Sequence, residues 1–563
     1  MKNDLQVWSS AKYGGNEYDY VVQFAMKKKL DDEIILEIDN IIKNDEIIEP
    51  KILELCCGRA PISQHFSKKG IVCTAIDNSL DMFKQENTKI GFINADITSL
   101  NGGLQFNECM PLHNIAVIEN GFYALTLISE DHRPTKLEAD FLQKTAIKNI
   151  ASMMSVGAKI IISDPLASAR KLSVPNIIQF VISEFLASAE GTKNAFRLLL
   201  STLRRLSDPR FKAVLERNRQ ITNLSYLRES HAEVSQLFEE DGYFKVEVSD
   251  KGRYLGGHNT WIIAERSEKV LINNHITINE IIEFDKVYLI SSKSKSLNVR
   301  IGEFRSKAYK DSCIYPKLPV CDEYDFAEGA SFVVTGKNTI QPLGTLGLHT
   351  YNFNTPSKLE MGSLLHQGDY DEGDFEISLM ERVQARRPYG KIGELRRLAT
   401  NVALSSNLGA RKWYEFQYLV FSNLFSEIYD YCCQENIEYL FFLTTPIMAK
   451  LINKIVSNKD VQFLNLPDFK LDRTKPENQT LFLLGSNYFF GDISTILTPQ
   501  ERQMFDCVKA ILEKSEDNSW RSAINKEIHK NNNSSYIKVC EKILDRGTDD
   551  VNVWYLKVPK QLV

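Results

Sequence analysis

Ile52-Leu53-Glu54-Leu55-Cys56-Cys57-Gly58-Arg59-Ala60 decides the fold of the first half of this 563-residue chain. An apolar strand runs into a glycine turn and then into a helix. A second strand, Ile71-Val72-Cys73-Thr74-Ala75-Ile76-Asp77, ends on an acid, and a third short one closes in Phe92-Ile93-Asn94-Ala95-Asp96. That order is a β-α-β-α-β half of the nucleoside-binding kind. Parallel strands of this kind place ligands in the crevice outside their carboxyl ends.

The residue types suit a nucleoside. Gly58 removes a side chain where a ligand approaches the backbone. Asp77 lies 19 residues beyond Gly58, at the tip of the next strand, where a carboxylate accepts from both ribose hydroxyls. Asp96 sits within reach of an adenine amino group. A dinucleotide needs Gly-x-Gly-x-x-Gly, so that its pyrophosphate can sit on the helix N-terminus. Here Gly58 is followed by Arg59 and Ala60. That crowding suits a ligand without a pyrophosphate, and Glu54 nearby tolerates a cationic one.

The segment resembles the class I S-adenosylmethionine (SAM)-dependent methyltransferases. Glu54-x-Cys56-x-Gly58 sits at the family's glycine motif, Asp77 at its ribose acid and Asn94-Ala95-Asp96-Ile97 at its adenine motif. Cysteine and arginine stand where the family usually shows further glycines. The resemblance implies SAM as cofactor, held by Glu54, Cys56, Gly58, Asp77, Asp96, Ile97 and Glu119.

Composition bounds the rest. A chain of this length holds two or three domains. Net charge is −5, which gives no global drive toward nucleic acid. None of the ten cysteines forms a Cys-x-x-Cys pair, and Cys56-Cys57 and Cys432-Cys433 lie in apolar runs, as in a reduced, cytosolic protein. The nine histidines show no metal spacing. No leader and no apolar run long enough for a bilayer is expected.

Residues 1–50 read as mainly helical, with Tyr13, Tyr18 and Tyr20 ahead of Val21–Ile42, and either lie over the cofactor or cover the sheet edge. Asn114–Ile118 reads as a fourth strand with Glu119-Asn120-Gly121-Phe122 at its carboxyl end. Phe141–Met154 reads as a helix and Ala158–Pro165 as a fifth strand. Tyr243–Val248 and Thr260–Ala264 form a closing antiparallel pair around a Gly256-Gly257 turn. Between them an insertion at about 166–240 carries helical periodicity over Asn176–Ser188 and Asn194–Leu206, which suggests helical cover over a small or medium acceptor. Arg197, Arg204, Arg205, Arg210, Lys212, Arg217 and Arg219 form a basic group there, more often a solvated face than a phosphate site. Tyr13, Glu119, His132 and His231 are base candidates by position only. Methyl transfer to an amine needs positioning more than a base.

Residues 266–285 read as a linker. Beyond it come a strand at Lys286–Ile290, a helix with Phe304-Arg305 and Tyr309, and Asp322-Glu323-Tyr324-Asp325. A hairpin follows: Ser331–Thr335, a Gly336-Lys337-Asn338 turn and Ile340–Leu348. Ile392–Ala399 is the next strand, Trp413–Cys433 a long helix and Ile437–Leu443 another strand. This order resembles the GNAT acyltransferase superfamily, nearest to acyl-homoserine-lactone synthases and long-chain N-acyl amino acid synthases. That resemblance implies a site of Arg305, Asp322, Asp325, Glu394 and Arg397, with Thr444-Thr445-Pro446 near an acyl carrier. Glu394 or an aspartate is then the acceptor of the amine proton. Ser405-Ser406-Asn407-Leu408-Gly409-Ala410 is at best a remnant of the pyrophosphate loop of acetyl-CoA enzymes, which favours an acyl-carrier-protein donor over acetyl-CoA, unless the site is degenerate. Thr498-Pro499-Gln500-Glu501 reads as a capping box for a helix, Tyr536–Leu544 as a second helix and Asn552–Val558 as a strand.

The expected fold is α/β throughout. A Rossmann-like seven-stranded methyltransferase domain spans 1–266, a GNAT-like mixed α/β domain 286–495, and a helical extension 496–563. The expected function is a bifunctional transferase, located in the cytoplasm, that methylates with SAM and N-acylates with acyl-ACP or acyl-CoA one small amine or amino-acid-derived metabolite. SAM can alternatively serve the second half as the amine. Its expected partners are the small-molecule substrate and an acyl carrier protein, without nucleic acid or membrane. Two alternatives stand beside it: a monofunctional methyltransferase with a partner- or carrier-binding second half, and a ligand sensor without turnover.

Overall fold

Alternating aliphatic residues build the first sheet. In the computed structural model the described residues are 25–78, 90–100, 112–128, 132–168, 209–250, 259–272, 282–311, 321, 323–352, 359, 361–362, 375–383, 391–401, 410–444, 446–457, 461–470 and 552–558, with scattered residues of 526–540. The chain divides into two units, Met1–Leu271 and Ile272–Val563.

The first unit runs α1 (Ala25–Asn44), β1 (Lys51–Leu55), α2 (Pro61–Lys68), β2 (Val72–Asp77), β3 (Ile90–Asn94) and β4 (His113–Glu119). It continues with a 3-10 turn (Tyr123–Thr126), α3 (Lys136–Ser152), β5 (Met154–Pro165), α4 (Pro209–Leu224), α5 (His231–Glu239), β6 (Phe244–Asp250) and β7 (Asn259–Arg266). The seven strands lie in the order β3-β2-β1-β4-β5-β7-β6. β7 is antiparallel to both its neighbours, and the other pairings are parallel.

The period of two on β1 decides which layer each residue joins. Leu53 and Leu55 face a layer with Ile147 and Ile150 of α3 and Phe238 of α5. Ile52 faces the other way, toward Ile34 and Ile38 of α1 and Phe66 of α2. Each fully buried aliphatic side chain of these layers contributes roughly 1.5–3 kcal/mol. Thr135 and Glu138 cap α3 reciprocally: Glu138 N donates to Thr135 Oγ1 (3.3 Å) and Thr135 N to Glu138 Oε2 (2.9 Å).

Tyr13, Tyr18, Tyr20, both expected insertion helices, Arg197, Arg204, Arg205 and the Gly256-Gly257 turn lie outside the described residues. Arg210, Lys212 and Arg217 fall on α4, where Arg219 is exposed.

The second unit runs β8 (Phe284–Ser291), α6 (Lys295–Asp311), a 3-10 turn (Glu323–Phe326), β9 (Gly329–Gly336), β10 (Gly344–Asn352) and α7 (Phe375–Arg382). It then forms β11 (Lys391–Thr400), α8 (Ala410–Gln434), β12 (Ile437–Thr444), α9 (Pro446–Val456), β13 (Leu464–Lys470) and β14 (Asn552–Lys557). Its seven-stranded sheet has the order β13-β14-β12-β11-β10-β9-β8. Only β11 and β12 pair in parallel, joined by the crossover helix α8. α8 lays Val420, Phe421, Leu424 and Ile428 against Leu346, Leu348 and Leu395 of the sheet.

Several element bounds differ from the sequence expectation: α3 begins at Lys136, behind its Thr135–Glu138 cap, rather than at Phe141, and β5 begins at Met154 rather than Ala158. The second arm of the hairpin begins at Gly344, not Ile340. The intervening backbone is engaged elsewhere, because Ile272 N donates to Asn338 O (2.8 Å) and Ile340 N to Ile272 O (3.3 Å). The strand near the C-terminus, placed by sequence in an extension of residues 496–563, is β14 and lies between β12 and β13. Buried Val553 and Leu556 tie it into that sheet's two apolar layers. The capping box at Thr498 lies outside the described residues.

Candidate functional site

In the first sheet the strand order reverses at β1, which has β2 on one side and β4 on the other. A ligand crevice opens at such a switch point, outside the carboxyl ends. The register places Leu55, Ile76 and Ile118 level with one another and Glu119 level with Ser163. The chain therefore delivers Cys56, Asp77 and Glu119 to one edge.

The loop after β1 is held at that edge through its own amides. Gly58 N donates to Asp77 Oδ2 at 2.9 Å, and Cys57 N to Ile76 O at 3.2 Å. Cys56, Gly58 and Ala60 all take φ of 51°. Only Gly58 does so without side-chain strain; for Cys56 and Ala60 the left-handed region costs roughly 1–2 kcal/mol each. Across the crevice, Gly121 follows β4 so closely that a Cβ there would lie 2.5 Å from Cys56 Cβ.

The expected cofactor residues take distinct places. Asp77 ends β2 beside Gly58, as expected. Glu54 is turned away from the edge: its carboxylate accepts from Ser63 N (2.6 Å) and Ile62 N (3.4 Å) and so caps α2. Its position on the α2 face of β1 dictates this, and the negative charge complements the helix N-terminus. Asp96 Oδ1 accepts from Thr98 N (2.8 Å) and Thr98 Oγ1 (2.6 Å), forming a local turn after β3. Ile97 is buried in the layer that contains Leu53 and Leu55. Cys56 and Glu119 are half-buried.

Of the base candidates, Tyr13 lies outside the described residues. His132 Nε2 lies 3.7 Å from Glu138, within the cap of α3. His231 Nδ1 is 3.1 Å from Thr260 Oγ1 at the start of α5.

Sequence reasoning did not single out three further polar side chains at this edge. Asp164, at the end of β5, accepts from Phe122 N (3.1 Å) and Tyr123 N (2.8 Å) and so fixes the loop after β4. Burial holds the Asp164 carboxyl well above the usual range, and burial together with Asp164 raises the Tyr123 phenol. Asn259 and Ser163 meet on the opposite face, with Asn259 Nδ2 3.3 Å from Ser163 Oγ. Asn259 stands one residue before the Thr260–Ala264 strand expected from sequence, and no sequence signal marks it.

In the second sheet, β11 and β12 pair from Lys391/Ile437 as far as Leu395/Phe442. Beyond that point β11 keeps only β10 as partner, through Gly344↔Thr400, across an irregularity opposite Arg397. Arg397 has a φ of 56°, a bulged, left-handed position. The strands thus splay immediately after Glu394-Leu395.

A polar cluster lies beside the splay. Arg305 Nη2 of α6 contacts both oxygens of Asp325 at 3.0 Å, and Arg397 Nη1 donates to Asp325 Oδ2 at 2.5 Å. Glu394 is buried; its Oε1 accepts from Met361 N (2.8 Å), and its Oε2 lies 3.9 Å from Nδ1 of His349, its cross-strand partner. The structure therefore joins Arg305, Asp325 and Arg397 directly, with Glu394 on the same strand as Arg397. Asp322 and residues 402–409 lie outside the described residues. Sequence reasoning missed His349 and Arg396, and Arg396 runs across Gly347, 3.2 Å from where a Cβ would stand.

No family model matches the chain, and no curated protein matches it. Among solved structures it is similar to magnesium protoporphyrin IX methyltransferase from Synechocystis PCC 6803 with bound SAH (13% identity, 47% of this chain and 100% of that chain, TM-score 0.27). It is also similar to the N-methyltransferase NodS from Bradyrhizobium japonicum WM9 in complex with S-adenosyl-l-homocysteine (10% identity, 44% and 90% covered, TM-score 0.23). A third is the CcbJ methyltransferase from Streptomyces caelestis (9% identity, 42% and 88% covered, TM-score 0.26). No described helix is long and apolar enough to cross a membrane.

Burial, and then the Arg396 charge, lower the His349 pKa from 6.5 to about 4. Its folded value lies below its unfolded one, so acid favours the unfolded chain. The contribution is complete above about pH 6.5 and is lost as pH falls from there toward 4. Urea unfolding of the second unit is expected to lose about 1 kcal/mol more between pH 7 and pH 5.5 in the wild type than in His349→Gln. Equal pH dependence of the two proteins would contradict this assignment.

Proposed function

We propose that the first unit transfers a methyl group from SAM to a small acceptor. One observation carries this: the Asp77 carboxylate, anchored by the Gly58 amide, stands at the switch point of a sheet ordered β3-β2-β1-β4-β5-β7-β6. That order, with a single antiparallel strand, is the arrangement of class I methyltransferases. The residues fit the cofactor. Asp77 would hold the ribose, with Cys56 and Gly58 beside the amino-acid part and Asp96-Ile97 beside the adenine. The acidic edge, Asp77 and Glu119, favours a cation. SAM supplies, when bound, a methyl group already activated on a sulfonium. What the chain adds is positioning, which alone accounts for several kcal/mol of a bimolecular barrier. The acceptor is a small molecule of the cytoplasm rather than nucleic acid or lipid, and the net charge of −5 supports the exclusion of nucleic acid.

Calorimetric titration of the full chain with SAM is expected to give one site, weakened at least about tenfold by Asp77→Ala. A wild type that takes up no SAM, or an Asp77→Ala variant that binds as tightly, would refute the proposal. SAH release during incubation with cell-extracted small molecules separates an enzyme from a ligand sensor.

A second activity is favoured by the splay between β11 and β12 and the Arg305–Asp325–Arg397 cluster beside it. The second unit is proposed to be a GNAT-like N-acyltransferase, using acyl-ACP or acyl-CoA. Its strand order and its one parallel pair at β11–β12 are those of that superfamily. Glu394 would take the proton of the attacking amine, and β11 backbone groups released from β12 would polarise the thioester carbonyl. Asp325 would position Arg305 and Arg397. A monofunctional methyltransferase with a carrier-binding second unit predicts no thioester turnover. Thiol release from octanoyl-CoA and octanoyl-ACP is expected with the full chain and amine-containing extract. It should fall roughly a hundredfold in Glu394→Gln; equal release by both proteins would refute a role for Glu394.

A further inference from the structure

The loop after β4 is gripped from behind by the side-chain amide of Gln143. This residue lies on α3 and is 1% exposed. Its Nε2 donates to Phe122 O at 3.3 Å, and its Oε1 accepts from Nε (3.0 Å) and Nη2 of Arg228. A backbone carbonyl can only accept and a guanidinium can only donate, so these two partners fix the orientation of the amide.

Phe122 is held at its other points as well. Its N–H donates to Asp164 Oδ1 at 3.1 Å, and its buried ring lies 5.3 Å from that of Phe238. Ahead of it, Gly121 closes against Cys56, and the Asn120 N–H bonds Ser163 O. The loop that faces Cys56 across the crevice therefore moves only if one of these contacts gives.

Arg228 stands where the chain has left α4. It is 5% exposed, its Nη2 lies 2.7 Å from Asp140 Oδ1, and its carbonyl accepts from Ala167 N at 2.8 Å. Two residues earlier, Tyr226 N donates at 2.7 Å to Thr126 Oγ1, in the 3-10 turn that continues the crevice loop. The chain leaving β5 and the chain entering α5 thus meet at Arg228, and Gln143 carries the position of that junction to Phe122.

We infer that Gln143 is a positioning residue for methyl transfer, coupling the junction at Arg228 to the crevice loop through the Phe122 carbonyl. This rests on the methyltransferase proposal and adds a residue that acts from behind the loop. Methyl transfer needs the acceptor lone pair in line with the methyl carbon and the sulfur. The electrons of the breaking carbon–sulfur bond stay on sulfur, and any proton the acceptor loses goes to water. A displacement of about 1 Å in the residues around such an encounter costs on the order of a hundredfold in rate.

Gln143→Glu and Gln143→Met separate positioning from folding. Glutamate keeps an acceptor toward Arg228, as a charge-assisted bond, and sets its second oxygen against the Phe122 carbonyl. Methionine keeps the volume and removes both bonds. Each full-length variant is compared with wild type by thermal unfolding, by calorimetry with SAM, and by SAH release from SAM in the presence of cell-extracted small molecules. SAM affinity within about threefold of wild type is expected in both, with an unlowered unfolding temperature in Gln143→Glu, an unchanged KM for SAM and a maximal SAH-release rate reduced at least about tenfold in both. A wild-type release rate in either folded variant overturns the inference. Loss of folding or of SAM binding in both, or a rate that falls only with the folded fraction, also overturns it and makes Gln143 structural. If one variant does not fold, the other decides alone. A wild type that binds SAM and releases no SAH overturns the inference and leaves the cofactor reading standing. A wild type that binds no SAM fails at the earlier proposal, and this inference falls with it.

Discussion

The hydrogen bond from Gly58 N to Asp77 Oδ2 joins the ends of β1 and β2 at the edge where the first sheet reverses direction. It orients a carboxylate outward from the sheet while tying down a loop with two non-glycine residues in left-handed conformations. That strain persists because several contacts over-determine it. Glu54 anchors α2 from beneath the loop, Cys57 N bonds β2, and Gly121 lets the loop after β4 close against Cys56. Asp164 completes the arrangement by holding the other end of that loop through two amides. The crevice is thus set mainly by carboxylates on the strands accepting from the amides of the loops that follow them.

The second sheet solves a different problem. A parallel pair at β11–β12 within an otherwise antiparallel sheet stops pairing after Leu395, and the bulge at Arg397 keeps β11 attached to β10. The opening sits beside charges that are costly to bury. Asp325 is matched by two guanidinium groups, which limits the desolvation penalty that an unpaired charge would incur. Glu394 and His349 face one another across the strands, with the imidazole kept neutral at ordinary pH by burial and by Arg396.

Most of the strand order of the first unit is legible in the sequence. Buried parallel strands appear as aliphatic runs, and their carboxyl ends are marked by Gly58, Asp77, Asp96 and Glu119. The role of Glu54 is not legible from motif position. Recovering it takes the period of two on β1, which turns Glu54 to the face that carries Ile52 and α2. Thr135 and Glu138 form a cap that spacing alone can reveal, a turn ahead of the apolar periodicity that begins at Phe141. Asn259 and His349 carry no sequence signal, since their significance comes from partners 139 and 45 residues away, Asn120 and Glu394. In the second unit Arg305, Asp325, Glu394 and Arg397 are found by order. The hairpin boundary is missed because Ile272, far upstream, takes the backbone of Ile340. β14 reads as an isolated strand because its partners β12 and β13 are separated from it by a long stretch of chain.

A crystal structure of the full chain grown with S-adenosylhomocysteine tests the central claim most directly. The account predicts the ribose hydroxyls within hydrogen-bond reach of the Asp77 carboxylate, whose other oxygen still accepts from the Gly58 amide. A nucleoside bound elsewhere, or an Asp77 turned away from it with the Gly58 contact broken, would contradict the account.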